Sequence, residues 1–309
     1  MARIAVVGPG KVGTALSLAF NGVGHTIVGA YCRDVDSLSA KRFRRLLGAP
    51  TALLPRDISD SNPLPTAEVF LVAVPDRAVT SVAQTLADSG ILATLQQPLA
   101  AEATAYNHAP AVDSTGPVVM HTAGSLSAEA LAPARNVGAR CICMHPLQTI
   151  ADPELSPECF SGITFTLDGD PSACALISQW IRRLGGIPLQ FDPKLRSGYH
   201  AAAVLASNAV VALMATASEV SGLPTGAQAL IPLLQGAVDN LKLLGLPDAL
   251  TGPVERGDVD TVKKHLDALQ SNPTALRVYR ALGQATLEVA SKKGPLSSAV
   301  SAELRDLFQ

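Results

Sequence analysis

Three glycines, Gly8, Gly10 and Gly13, stand at G-x-G-x-x-G spacing directly after the apolar run Arg3–Val7. In that pattern the first glycine permits a tight turn, the second lets backbone approach a pyrophosphate, and the third lets a helix pack closely on the strand. Pro9, Lys11 and Val12 complete the turn, and Val12, Leu16 and Phe20 follow at helical spacing. The unpaired amides at the helix start would then face negative charge. A second apolar run, Ile27–Tyr31, ends in Cys32, Arg33 and Asp34, where the adenosine ribose of a dinucleotide would lie. The Arg33 guanidinium suits a 2′-phosphate, so NADP is preferred over NAD, whose ribose usually meets a carboxylate. Asp34 would become that carboxylate after a shift of one register, and Ser37 is a supporting donor.

Reducing a C=O or C=N bond needs a proton as well as a hydride, and histidine exchanges protons near neutral pH. Of the six histidines, His121 and His145 follow apolar runs, and His200 opens a long apolar segment. His25, His108 and His265 lie away from the expected cleft. Asn208 follows His200 by eight residues, about 12 Å along one side of a continuous helix. His145, His200 and Asn208 are therefore the catalytic candidates. Val74, Pro75 and His121 join the glycine turn and Arg33 as cofactor contacts, while Ser125, Gln148 and Arg256 are candidates for holding substrate. Asp76 reads as a cap for the helix that follows Pro75.

These residues need a scaffold. Strand-like runs at Arg3–Val7, Ile27–Tyr31, Val69–Val74, Pro117–His121, Arg140–Met144, Ile163–Leu167 and Ile187–Phe191 alternate with helical patterns such as Ala78–Leu86 and Cys174–Leu184. That alternation predicts an α/β fold with a mostly parallel Rossmann-type sheet, whose ligands lie beyond the carboxyl ends of the strands. After about Lys194 the strands stop. Helical segments take over at Gly198–Gly222, Thr225–Leu244, Asp258–Gln270, Pro273–Lys292 and Leu296–Leu307, with Thr225, Asp258 and Asn272 as helix caps and Gly294-Pro295 as a stop. The division expected is a nucleotide domain over 1–193 and an all-helical substrate and dimerisation domain over 194–309.

The 309 residues are 48% hydrophobic and 16% charged with a formal charge of −2. Such a balance gives no field for nucleic acid, and Lys41–Arg45 reads as a solvated helix face. The first strand starts too early for a signal peptide. Ala201–Ala217, flanked by His200 and interrupted by Ser207 and Asn208, suits a buried helix better than a membrane span. Five cysteines without ligand spacing predict no metal and a reduced, cytoplasmic setting, with Cys141 and Cys143 on one face of a strand in the core. Apolar pattern in excess of what one helical domain hides predicts a homodimer through those helices.

GPGKVG, Val74-Pro75-Asp76, His145-Pro146-Leu147-Gln148, the segment from Tyr199-His200 to Asn208, and Thr251-Gly252-Pro253 with Arg256-Gly257-Asp258 together resemble the Rossmann-like oxidoreductases related to deazaflavin-dependent NADP oxidoreductase and pyrroline-5-carboxylate reductase. The resemblance covers nearly the whole chain. It implies an NADP-type fold followed by a helical dimerisation domain of the 6-phosphogluconate dehydrogenase C-terminal kind. The His145 segment also resembles the His-Pro segment of prephenate dehydrogenase, implying assistance to hydride transfer by His145. Asn208 resembles the asparagine of 3-hydroxyacid dehydrogenases, although His200 stands where those enzymes use lysine. The substrate loop of pyrroline-5-carboxylate reductase is not recognisable. The reading is an NADP-dependent oxidoreductase acting on a small carbonyl or imine. Its alternatives are a non-catalytic NADP(H) sensor or scaffold and a deazaflavin-dependent enzyme.

Overall fold

The computed structural model describes residues 1–57, 60, 64–92, 116–155, 157–294 and 296–309. His108 and Pro295 lie outside the described residues. Eight strands form one sheet in the order β3-β2-β1-β4-β5-β6-β7-β8. They are β1 (Arg3–Val7), β2 (Thr26–Cys32), β3 (Thr51–Leu53), β4 (Val69–Val72), β5 (Val118–His121), β6 (Arg140–Pro146), β7 (Thr164–Gly169) and β8 (Ile187–Gln190). Between them run α1 (Lys11–Gly22), α2 (Leu38–Leu47), α3 (Val79–Asp88), α4 (Ala132–Asn136) and α5 (Pro171–Arg183). All strand pairs are parallel except β6 with β7. The expected Rossmann-type sheet and helical C-terminal region are both present.

Alternation along the strands builds two cores, one on each face of the sheet. Ile4, Val6, Leu71, Met120 and Ile142 pack into one. Ala5, Val7, Phe70, Val72, Val119 and Cys141 pack into the other. The order reverses at β1, which has β2 on one side and β4 on the other, so the crevice that binds ligands in such sheets lies beyond the carboxyl ends of β1 and β4. β3 went unpredicted because three residues are too few to establish a period.

The helical elements are α6 (Arg196–Ala206), α7 (Asn208–Val220), α8 (Ala227–Leu244), α9 (Val259–Ala268), α10 (Pro273–Lys293) and α11 (Ser298–Leu307). The chain divides into two compact units, Met1–Ala203 and Val204–Gln309. The second has its own core, with Val262, Leu266, Leu287, Leu304 and Phe308 at its centre. Asp258 and Asn272 cap α9 and α10 as expected, whereas α8 begins at Gly226 with no side-chain cap from Thr225.

Two expectations about the segment after His200 fail. The continuous helix is broken at Ser207, which has φ −129° and ψ −77° and donates to the Asn208 side chain at 3.0 Å. Short polar side chains of this kind offer the backbone an alternative to the helical ladder. Nor is the segment buried: no residue from 201 to 217 is inaccessible within the chain. Pro193–Val220 is long and apolar enough by length and composition to cross a membrane.

The glycine turn is set by close packing. A methyl at Gly13 would lie 2.3 Å from the Gly8 carbonyl oxygen and 3.1 Å from the Ala73 side chain. Gly13→Ala must therefore push α1 off the sheet, with an expected loss of about 1–3 kcal/mol of unfolding free energy. Urea denaturation measures it, and an unchanged midpoint would show that the turn opens freely.

Candidate functional site

Gly8 follows β1 at φ +93°, and a side chain there would meet the Ala73 carbonyl at 2.6 Å. The turn is therefore pressed against the end of β4. At Gly10, by contrast, an added side chain would find no protein atom within 4 Å. α1 starts immediately beyond, with no capping side chain and no acidic residue in its first turn. Gly8, Pro9 and Gly10 line a groove of about 630 Å³ together with Arg33, Val74 and Pro75. Lys11 is exposed at the first position of α1, Val12 packs against the core, and Gly13 secures the helix to the turn.

Arg33 projects into the groove from the end of β2, beside Asp34, Ser37 and Ser39. The Asp34 carboxylate accepts the Asp36 amide at 2.8 Å, and Ser37 donates to the Asp34 carbonyl while capping α2. Both thereby take part in their own turn, and Arg33 beside them is exposed. Burial pushes the Cys32 thiol up, so it stays protonated. Arg77, after β4, also faces the groove and has no sequence motif to announce it.

Further along the carboxyl edge, strand register assembles a polar ladder. β5 pairs His121 with Cys143; antiparallel β6 and β7 pair Cys143 with Asp168 and His145 with Thr166. Paired residues share a face of the sheet, so His121, Cys143, Asp168, His145 and Thr166 form two adjacent rows. Arg196, at the start of α6, closes the ladder from above. It is 2% exposed, and its Nε donates to Asp168 Oδ2 at 2.5 Å while a terminal nitrogen donates to Thr166 Oγ1 at 3.5 Å. The other Asp168 oxygen accepts the Ala128 amide at 2.7 Å. Phe191 lies under the guanidinium, with its ring centre 5.6 Å away.

One helical turn places Tyr199 and His200 after Arg196. Tyr199 Oη lies 2.7 Å from His145 Nδ1, and the His145 and His200 rings meet edge to face with centres 6.1 Å apart. Gly124, just after β5, makes room for them: a side chain there would fall 2.6 Å from His200 Nδ1 and 2.8 Å from His145 Nε2. Neither of those two nitrogens has a hydrogen-bond partner among the described residues. Burial, then His200, then the Arg196 cation push His145 down to about 4. It is neutral at physiological pH.

His121 is different. It is fully buried; its Nδ1 accepts the Ala123 amide at 3.2 Å, and its Nε2 therefore donates to the Ser127 carbonyl at 3.0 Å. Both nitrogens are used in folding the turn, so the imidazole itself has no free position for a ligand. Ser125 donates to the Asp76 carboxylate, tying the end of β5 to the end of β4. Asp76 thus bridges two strand ends, and α3 has no side-chain cap.

Three other predicted positions have local neighbours of their own. Gln148 spends both ends of its amide locally, donating to the Cys159 carbonyl and accepting the Thr149 amide. Asn208 begins α7 and is bonded to Ser207, so the break separates it from the helix of His200. Arg256 lies in the second unit, near enough to Asp258 to help lower its carboxyl after the Thr261 hydrogen bonds. Cys141 and Cys143 are buried thiols pushed up by burial, Cys141 to about 12. Among the described residues no three metal-ligating side chains converge.

Sequence reading missed Asp168, Arg196 and Thr166. The only signal for the first two was an acid directly after an apolar run and a base shortly before an apolar segment.

Breaking the buried pair gives a clear expectation. Asp168→Ala leaves the Arg196 cation unpaired and the Ala128 amide without its acceptor, at an expected cost of about 3–5 kcal/mol by denaturant titration. The histidines set an acid limit. His145 falls from 6.5 to about 4 on folding and His121 is also lowered, both chiefly by burial. The unfolded chain then binds more protons between these values, so stability is full above about 6.5 and declines as the pH falls through 4. Denaturant series from pH 7.5 to 4 should show that decline, with a shallower slope in His145→Gln.

A Rossmann-like domain family matches residues 1–95, and a domain family of unknown function, DUF2520, matches residues 163–286. No curated protein matches the chain in sequence. Among solved structures it is similar to BF3122, a proposed NADP oxidoreductase of Bacteroides fragilis, at TM-score 0.71 and 22% identity over 93% of this chain and 98% of that one. It is similar to protein TM1727 of Thermotoga maritima at TM-score 0.65 and 24% identity, covering 94% and 99% of the two chains. Pyrroline carboxylate reductase of Plasmodium falciparum, solved with NADP bound, follows at TM-score 0.53 and 10% identity, covering 100% and 98%. These likenesses establish a Rossmann-type sheet followed by a helical region as the shared architecture.

Proposed function

We propose that this chain is an NADP-dependent oxidoreductase that reduces a small carbonyl or imine, or oxidises the corresponding product. The observation that carries the reading is the groove at Gly8–Gly10, where an uncapped helix start and a side-chain-free Gly10 meet Arg33 at the adjacent strand end. Backbone amides and the helix dipole would hold the pyrophosphate, and Arg33 would hold the 2′-phosphate. The residues fit the group without a competing side chain. When bound, NADPH supplies the hydride. The likeness to a Bacteroides protein described as an NADP oxidoreductase supports the same choice.

The sheet order then orders the chemistry. Val74-Pro75 stands beside the groove, Asp76 joins Ser125, and Gly124 faces His145 and His200. A substrate held along this edge would have its reacting oxygen or nitrogen at the two imidazoles, with neutral His145 as a hydrogen-bond donor and His200 as the group through which the balancing proton passes. Ser125 would hold substrate polar groups.

Calorimetric titration with NADPH and NADH in parallel tests the cofactor assignment. NADPH is expected to bind more tightly, and Arg33→Ala should weaken NADPH by about tenfold or more while leaving NADH nearly unchanged. Binding to neither would overturn the reading. In a screen of carbonyl and imine substrates, His145→Ala and His200→Ala should each lower turnover by about 10²–10⁴-fold with NADPH affinity retained. NADPH binding without turnover of any substrate would favour a sensor.

We also propose a homodimer through the helical region. Leu205, Val211, Leu233 and Leu243 are each more than two-thirds exposed in the single chain, a density of bare apolar side chains that water disfavours. Light scattering should give twice the 31.9 kDa chain mass; a monomeric mass across a wide concentration range would overturn it.

A further inference from the structure

The proposal above leaves open which nitrogen of His145 carries its proton, and that choice decides whether the residue offers a substrate a hydrogen or a lone pair. We infer that the hydrogen bond from Tyr199, carried on the helix that Arg196 anchors, fixes His145 with its hydrogen on Nε2, making Tyr199 a positioning residue and His145 a donor to a carbonyl oxygen or imine nitrogen. The inference rests on the reading of His145 as the residue that faces the reacting group.

The direction follows from what each member can give. A guanidinium has only donors, so Thr166 Oγ1 must accept from Arg196. Asp168, held by the same guanidinium and by the Ala128 amide, fixes the first turn of the helix that carries Tyr199. Burial keeps the Tyr199 phenol protonated. A phenol is the stronger donor and a neutral imidazole nitrogen the stronger acceptor, so the Tyr199 hydrogen goes to His145 Nδ1 at 2.7 Å. A neutral imidazole that accepts at Nδ1 carries its hydrogen at Nε2. That nitrogen has no partner among the described residues and lies at the space kept open by Gly124.

Burial, His200, Arg196 and His121 disfavour a positive imidazole at His145 and together outweigh Asp76, which favours one. The strand register supplies the placement, since His145 is directly opposite Thr166 on β7. Tyr199 is held against Phe191, ring centres 4.9 Å apart, which limits the phenol's swing. A donor here would grip the lone pair of a C=O or C=N group and strengthen its hold as negative charge develops on that atom. The ligand class selected is thus the unsaturated, oxidised partner of the reaction.

Long-range proton–nitrogen NMR of the full chain labelled with ¹⁵N-histidine reads the tautomer directly, without cofactor or substrate. At pH 7 the His145 signals, assigned by their loss in His145→Gln, should show an unprotonated Nδ1 and a protonated Nε2. Tyr199→Phe should shift that population toward hydrogen on Nδ1. Hydrogen on Nδ1 in the wild type, or an unchanged tautomer in Tyr199→Phe, would overturn the inference. Because the readout needs no turnover, failure of the oxidoreductase reading is seen separately, as absent NADPH binding with the tautomer intact. If both hold, Tyr199→Phe should reduce kcat several-fold more than it changes KM for a carbonyl substrate.

Discussion

The pairing of Arg196 with Asp168 is the interaction on which the rest of the site depends. Both side chains are almost inaccessible, and a charge in that setting is tolerable only with a close partner and full hydrogen bonding. Asp168 has both, through Arg196 and the Ala128 amide, and it sits on β7, where the strand direction of the sheet reverses. The pair therefore joins three elements: β7, the turn after β5, and the first turn of α6. Where Arg196 is pinned, Tyr199 and His200 follow by helical geometry. The orientation of the two histidines is thus inherited from a contact that neither of them makes.

The second constraint is close approach of backbone at the glycine turn. Gly8 and Gly13 are required because carbonyl oxygens of the turn and of β4 occupy the space that a side chain would need. Gly10 is bare for the opposite reason, since the space beside it is open. One motif thus contains two glycines that serve the fold and one that leaves a surface for a ligand. The polar edge from Asp76 to Gly124 connects this turn with the imidazoles. In the first unit, the strand ends beyond β1, β4, β5 and β6 form a series running from the groove at the glycine turn to the paired imidazoles.

Much of this was legible before any coordinates. The glycine turn, seven of the strands and the caps at Asp258 and Asn272 are written in short stretches, because steric limits on φ and the period of two act between near neighbours. His145 and His200 could be picked out, since histidines after strands are few. Their relation to each other could not. It requires the register of β6 against β7, which brings Thr166 beside His145, and the anchoring of α6 by Arg196. The expectation for Asn208 failed because a periodic apolar run reads as one helix, whereas Ser207 and Asn208 satisfy each other and end it.

The sequence by itself determined the alternating scaffold, the place of the glycine turn and the helical character of the C-terminal region, all of which depend on local sterics and periodic burial. Tertiary structure alone decided which polar side chains are spent on the fold and which keep hydrogen-bond capacity. His121 and His145 look equivalent as strand-ending histidines, yet one spends both nitrogens on backbone and the other keeps one free. The physical reason is that hydrogen-bond capacity is finite: what an imidazole can do is fixed by the partners already holding it, and those partners come from residues distant in the chain.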